Sequence, residues 1–344
     1  MNKLRVRYQK LYKIKLLMHF TTIIRTIEGI LFGISTVTES APHFRDNIDI
    51  KRYMSAAIIA LVPSTVAAIY FFGLRVIAMI IVSYITGGII EVLFALVRKK
   101  DIEEGFLVTG LIFPLVLPPN TPLWVVAVGI AFGVVFGKEL FGGTGRNIFN
   151  PALVGRLFIT ISFPQIMTSS YKLPFVDGVT SATPLVLFKT SHTLTPWFQL
   201  LFGATAGSMG ETFRIGIIIG GLFLILTRTT DWRIPIFYIG TILGLSWIGH
   251  IFIPDKIASP LFQLLTGGLL FGAFFMATDP VTSPFTRSGK VIFGLGIGIF
   301  TLLIRVFSGY AEGVMFSIIL MNGFTPLIDH IVLSIKYRPV ENER

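Results

Sequence analysis

Apolar runs separated by short polar turns dominate the chain after residue 50. A helix crossing a bilayer needs about 20 mostly apolar residues at 1.5 Å each. On that measure the pattern predicts spans over 54–72, 74–97, 123–140, 150–167, 234–253, 260–277, 291–307 and 314–335, with a shorter one at 105–117. A further span ends near Thr227, after the polar turn Gly207–Thr212. The stretch 197–209 is too short to cross and carries Gly203 and Gly207. It predicts a re-entrant or broken half-helix, which a membrane tolerates only when protein buries it. Asn150 before Pro151 predicts an N-cap followed by the first helical position.

This count gives an all-α polytopic membrane protein with about ten transmembrane helices. Six Lys or Arg fall within the first 15 residues, with no clean apolar core or small-residue cleavage site after them. Residues 1–50 are therefore read not as a signal peptide but as an amphipathic segment on the cytoplasmic leaflet, its bases near anionic lipid. The membrane domain covers 51–335, and a cytoplasmic tail covers 336–344. Five spans from an inside amino end leave residue 168 outside. The polar loop 168–195 then faces away from the cytoplasm, and Lys172 and Lys189 are its only strong bases, as the positive-inside rule requires. Thr109-Gly110-Leu111 and Thr266-Gly267-Gly268 each precede a Pro-broken turn leading into a Gly-rich helix. That similarity predicts an inverted five-plus-five repeat whose broken half-helices meet near the midplane.

Composition agrees and narrows the chemistry. Of the 344 residues, 53% are hydrophobic and 14% charged, against about 25% charged in soluble domains. With no cysteine, the chain has no disulfides, thiolate zinc sites or cysteine-ligated clusters. Any electron carrier it holds is then organic. The five histidines are scattered without an i, i+4 pair, so no metal site is expected. The net charge of +11 belongs to cytoplasmic loops. No basic–aromatic ladder points to nucleic acid.

Three polar loops could carry chemistry. Asp177-Gly178-Val179-Thr180-Ser181-Ala182-Thr183-Pro184 holds three hydroxyls beside an acid, and Pro184 disfavours helix at Thr183. A hydroxyl oxygen can attack a phosphoryl group when a cation and a base are supplied. The acceptor loop itself need only be extended and accessible. Gly142–Ala152 is Gly-rich and opens a helix, as phosphate cradles do, yet lacks the Gly-Lys-Ser/Thr of a P-loop. It suits either a tight turn or the lining of a second cofactor or quinone site. Asp279–Pro284 can cap a half-helix. Glu91, Glu139, Glu211, Asp279 and Glu312 lie mostly near span ends, where capping and ion pairing compete with ion conduction. One or two of the 32 Phe could stack a flat ring.

The first loop resembles the flavinylation sequence, roughly Asp-x-x-Ser/Thr-Gly/Ser-Ala-Thr, in which a flavin transferase esterifies FMN phosphate to the last threonine. On that resemblance Thr183 is the acceptor, within a motif of Asp177, Gly178, Thr180, Ser181 and Ala182. Ser181 stands where Gly is often found and is also small. Over about residues 40–335 the chain resembles the NqrB/RnfD family. That family contains the B-type subunit of the sodium-translocating NADH:quinone oxidoreductase (Nqr) and the D-type subunit of the Rnf complex. Ala41-Pro42-His43, 45–52 and Gly142–Ala152 resemble the B-type chain. Asp177–Leu185, Met276–Pro284 and Gly309–Gly313 resemble the D-type chain, which chain length also favours. The resemblance implies a multi-pass subunit of the bacterial inner membrane that passes electrons through covalent FMN. It also implies a second, non-covalent flavin such as riboflavin, coupling to Na⁺ or H⁺ translocation, and other complex subunits as partners. In the Nqr version it adds a quinone. The competing classes are a solute channel or transporter, since family members share a fold with urea-type channels, and a purely structural membrane component. Both predict no flavin.

Overall fold

The computed structural model describes residues 50–99, 105–176 and 180–337. The expected amphipathic segment, Asp177, Gly178 and the last seven residues of the tail lie outside them. Among the described residues the chain is all-α, and the sole strand-like feature is an isolated antiparallel bridge between Lys172 and Thr180.

In chain order the first half holds α1 (Ile50–Phe72), α2 (Arg75–Arg98), α3 (Gly105–Leu115), α4 (Leu123–Gly137) and α5 (Pro151–Ser162). Three short helices follow: α6 (Pro164–Ser169), α7 (Pro184–Ser191) and α8 (Trp197–Phe202). The second half holds α9 (Arg214–Leu226), α10 (Arg233–Phe252), α11 (Pro260–Leu265), α12 (Leu269–Phe271), α13 (Arg287–Phe307) and α14 (Val314–Lys336). A π-helical turn over Gly272–Met276 continues α12.

Among the described residues six helices are long and apolar enough to cross a membrane: α1, α2, α4 with its extension to Phe141, α10, α13 and α14. Of the about ten spans expected from hydropathy, the short one at 105–117 among them, the others do not reach that length. α3, α5 and α9 have only 11, 12 and 13 residues, at most about 20 Å at 1.5 Å per residue against a hydrocarbon core of about 30 Å. The 260–277 run breaks at Thr266–Gly268, where Gly267 and Gly268 take φ of +65° and +64°, a region open chiefly to glycine. The expected half-helix after Trp197 lasts only six residues. The non-helical stretch 205–212 behind it is buried. Its backbone is satisfied internally, with Gly210 N donating to Leu115 O (2.7 Å) and Met209 N to Leu117 O (3.1 Å). Irregular backbone at membrane depth requires such partners.

Small residues let the helices close. Gly129, Gly133 and Gly137 line one face of α4, and a Cβ on Gly133 would run into the backbone of Pro151 and Gly155 on α5. This is the small-xxx-small mode of membrane packing. Asn150 caps α5 as expected, its side chain accepting from Ala152 N at 3.1 Å. Asp279 does not cap a helix. It accepts from Val281 N (3.3 Å) and Thr282 Oγ1 (3.1 Å) within a turn, while Thr286 caps α13 through Gly289 N. Thr286 sits closer to the helix start, so its hydroxyl wins that position.

Candidate functional site

The hydroxyl-rich loop is pinned to the segment before it at Thr180 and Ser181. Thr180 bridges Lys172, and Ser181 N donates to Tyr171 O at 3.0 Å. Thr180 and Ala182 are exposed, Ser181 is half-buried and Thr183 is only 7% exposed. Thr183 is extended (φ −70°, ψ 155°) and stands at the N-cap of α7 with Pro184 next, yet its side chain makes no capping hydrogen bond. The expectation of an extended loop holds at Thr183. That of an accessible one fails for Thr183 itself, because α7 packs down on the body of the protein.

Two contacts hold α7 there. Lys189 Nζ donates to the carbonyls of Arg305 (3.3 Å), in the last turn of α13, and of Ser308 and Tyr310 (3.2 Å), just beyond it. Partial desolvation lowers the Lys189 ammonium below its ordinary value. Leu185 lies over Gly267, where any Cβ would also meet the Arg305 guanidinium.

Beneath the loop sits a buried polar cluster. Arg156, in the middle of α5, pairs with Glu312 at 2.7 Å, donates to Ser208 Oγ at 3.4 Å and lies close to the Tyr171 side chain. Glu211 accepts from Ser208 N at 2.7 Å. Arg214 donates to the carbonyls of Leu265 (2.9 Å), Leu200 (2.7 Å) and Thr212 (2.7 Å). Arg305 donates to the backbone and side-chain oxygens of Gln263 (2.8 Å each) and to Thr266 O (2.8 Å). The two arginines therefore satisfy carbonyls freed where α8 and α11 end. Tyr171 belongs to both cluster and loop, so the cluster positions the hydroxyl-rich segment.

A second cleft lies elsewhere. Its wall includes Thr144, Asn147 and Asn150 from the Gly-rich segment and Thr278 and Asp279 from the Pro-broken turn, so those two motifs meet. The Thr278–Thr286 segment leads into the start of α13, whereas Lys189 contacts its end. Twenty-one residues put about 30 Å between them. The predicted acids are mostly paired: Glu91 with Lys138, Glu139 with Arg98, Glu312 with Arg156. Asp329 was not singled out from sequence. It is buried and accepts from Phe285 N (3.0 Å) and Thr286 N (3.1 Å) at the start of α13. Also missed were Arg156, Tyr171, Ser208, Arg214, Gln263 and Arg305. Three arginines inside or at the ends of apolar runs were the available signal, since charge at membrane depth is costly and kept for a purpose.

At one end of the bundle, Asp231 takes two hydrogen bonds from Arg233 Nη1 (3.1 and 3.0 Å) and one from Lys290 (3.1 Å), joining α10 to α13. Burial works against its charge, but the Arg233 amide and the Lys290 ammonium outweigh it and lower its pKa.

The chain is 36% identical to the B-type subunit of a Na(+)-translocating NADH-quinone reductase from Pseudomonas paraeruginosa, over 98% of this chain and 95% of that protein. It is 39% identical to the D-type subunit of a proton-translocating ferredoxin:NAD(+) oxidoreductase complex from Clostridium ljungdahlii, over 87% and 95%. With the B-type reductase subunit of Ectopseudomonas mendocina it shares 44% over 76% and 68%. The NQR2, RnfD, RnfE family profile matches residues 37–338, and with helices long enough to cross a bilayer and this likeness over most of its length, the chain belongs to that family of multi-pass membrane subunits.

Proposed function

We propose that this chain is the D-type subunit of an Rnf complex, a membrane flavoprotein that passes electrons through FMN esterified to Thr183 and couples them to Na⁺ or H⁺ translocation. The observation that carries it is Thr183: an extended N-cap threonine whose hydroxyl caps nothing, inside a full flavinylation motif. The residues fit the group. A phosphoester on that oxygen sits at the amino end of α7, where unpaired amides and the helix dipole favour an anion, and Lys172 stands across the bridge from Thr180. When bound, FMN supplies one- and two-electron carriage that no cysteine-free side chain set can. Tyr171 and Ser181 position its tether, and the Arg156–Glu312 pair fixes Tyr171.

The inverted repeat belongs to the same reading. α4 packs on α5 as α13 does on α14, α2 on α4 as α10 on α13, and the leading helices α1 and α9 pack together. The loop carrying Thr183 then faces outward, and the cleft shared by the Gly142 and Asp279 segments faces the cytoplasm. The alternative is the B-type subunit of an Nqr complex, which would add quinone reduction; it is favoured by the 98% coverage by the Pseudomonas B-type chain. Partner subunits separate the two: a cluster-rich ferredoxin-linked partner marks Rnf, a flavin–[2Fe–2S] NADH-oxidising partner marks Nqr.

The test is in-gel flavin fluorescence of the denatured chain after coexpression with its flavin transferase. The wild type is expected to fluoresce and Thr183→Val to be dark. Fluorescence in Thr183→Val would move the acceptor elsewhere. A dark wild type would leave the channel or structural readings.

A further inference from the structure

The hydroxyl-rich segment is half presented and half covered. Thr180 and Ala182 are exposed, but Thr183 is only 7% exposed, and Pro184 and Leu185 after it are buried as well. Phosphoryl transfer needs the attacking oxygen roughly in line with the phosphorus–oxygen bond that breaks, with a cation and a base at hand. When a second protein supplies those parts, its active site has to enclose the threonine. The packed chain leaves no room for that at Thr183.

What covers it is α7, and few contacts hold α7 down. Its eight residues fall short of the about 12–15 that a helix needs to be even marginally stable alone. Leu185 and Phe188 are buried. Lys189 is the polar attachment, its ammonium shared among the carbonyls of Arg305, Ser308 and Tyr310. Those carbonyls lie at and just beyond the end of α13, where a cation is favoured by the helix dipole. Lys189 is itself exposed, so water reaches the ammonium as these bonds break. Both flanks of α7 can turn. Ala182 is exposed before it, His192 ends it at φ +53°, and residues 192–196 continue as mostly exposed, non-helical chain.

We propose that α7 is a lid over the acceptor, latched by Lys189 to the end of α13, and that it swings away as a unit to admit the flavin transferase; the proposal rests on the Thr183 reading above. With the lid open, Thr183 Oγ1 attacks the flavin-side phosphorus of flavin–adenine dinucleotide. The pyrophosphate bond breaks, AMP leaves with its electron pair, and the hydroxyl proton passes to a base of the transferase. Nothing is oxidised or reduced. The transferase acts only on the open fraction, so the closed lid slows modification of the folded chain by that fraction.

The experiment uses the full-length chain, made without its transferase and purified in detergent, then given transferase, flavin–adenine dinucleotide and Mg²⁺. In-gel fluorescence follows the ester with time. Lys189→Met is expected to speed modification about tenfold, the worth of one hydrogen bond to a charged group. Asp231→Asn loosens the start of α13, remote from the lid, and is expected to leave the rate unchanged. Because the chain has no cysteine, Lys189→Cys with Tyr310→Cys supplies its only two thiols. Bridging them with a cleavable bifunctional thiol reagent is expected to block modification, and cleaving the bridge to restore it in the same molecules. A wild-type rate in Lys189→Met, an equal rise in Asp231→Asn, or modification of the bridged chain would overturn the lid and leave the tether standing. So would wild type and Lys189→Met that both stay dark here while the wild type fluoresces after coexpression, since the acceptor is then reached only before folding. A wild type dark in both settings would remove the tether and the lid with it.

Discussion

Arg156→Met tests whether the buried cluster positions the hydroxyl-rich loop. The Arg156 and Glu312 side chains are 5% and 18% exposed and meet at 2.7 Å. Charge centres about 4 Å apart attract by about 4 kcal/mol at an effective dielectric of about 20. Removing one partner of such a buried pair costs about 3–5 kcal/mol, since the other is stranded without water. The residual exposure of Glu312 argues for the lower end, about 3 kcal/mol. Methionine keeps the length of the side chain, so little of this loss is cavity. Glu312→Gln should cost less, because Glu211 remains as an electrostatic partner of Arg156. The double variant should fall short of the sum by about 2 kcal/mol, well beyond the few tenths expected of independent sites. Equilibrium unfolding in detergent measures the cycle. Hydrogen exchange over 168–183 measures the loop, whose Ser181 amide bonds Tyr171; it should speed up in Arg156→Met. Additive single effects, or a wild-type exchange rate in a destabilised Arg156→Met, would refute the claim that this pair organises the loop.

Three further outcomes follow from local geometry. Asn150→Ala removes the cap on α5 and should lower stability by about 1 kcal/mol, read in the same unfolding assay, with Asn150→Asp losing little. Gly268→Ala places a side chain at φ +64° against the Glu211 carboxylate. It should cost at least about 1–2 kcal/mol, and a neutral result would mean the break tolerates helix. Asp231 has a lowered pKa, so its contribution is complete above the unfolded carboxylate value of about 3.9 and disappears as pH falls through the folded one. For a pair this exposed the gap between wild type and Asp231→Asn should be no more than about 1 kcal/mol at pH 7 and should close as pH falls through the lowered folded-state value; a constant gap would point to packing instead of charge.

Much of the bundle was legible without coordinates. The long helices α1, α2, α4, α10, α13 and α14 follow from hydropathy alone, because every backbone group in lipid must be paired within its own segment. The Asn150 cap and the interruption near Gly203 were equally local. The short helices were not. Residues 150–167 are mostly apolar, but α5 stops at Ser162 and Pro164 begins α6. Hydropathy counts apolar residues and cannot see where a chain turns inside protein. The candidate site was half legible: the hydroxyl-rich loop could be found by its residue types, but not the burial of Thr183 under α7.

The sequence by itself determined the class of protein, the long spans, the absence of thiol chemistry and the place of the hydroxyl-rich segment. These depend on residue type and short-range order. Tertiary structure decided which faces turn inward. On α2 the buried positions Ser83, Gly87 and Glu91 oppose exposed Ile81, Ile85, Ile89 and Leu93, an orientation that hydropathy cannot assign because lipid is as apolar as a core. It also decided that Arg156, Arg214 and Arg305, up to 149 positions apart by their numbering, converge beneath one loop. No local pattern encodes that meeting, since each arginine answers to carbonyls or carboxylates that only the folded chain brings within reach.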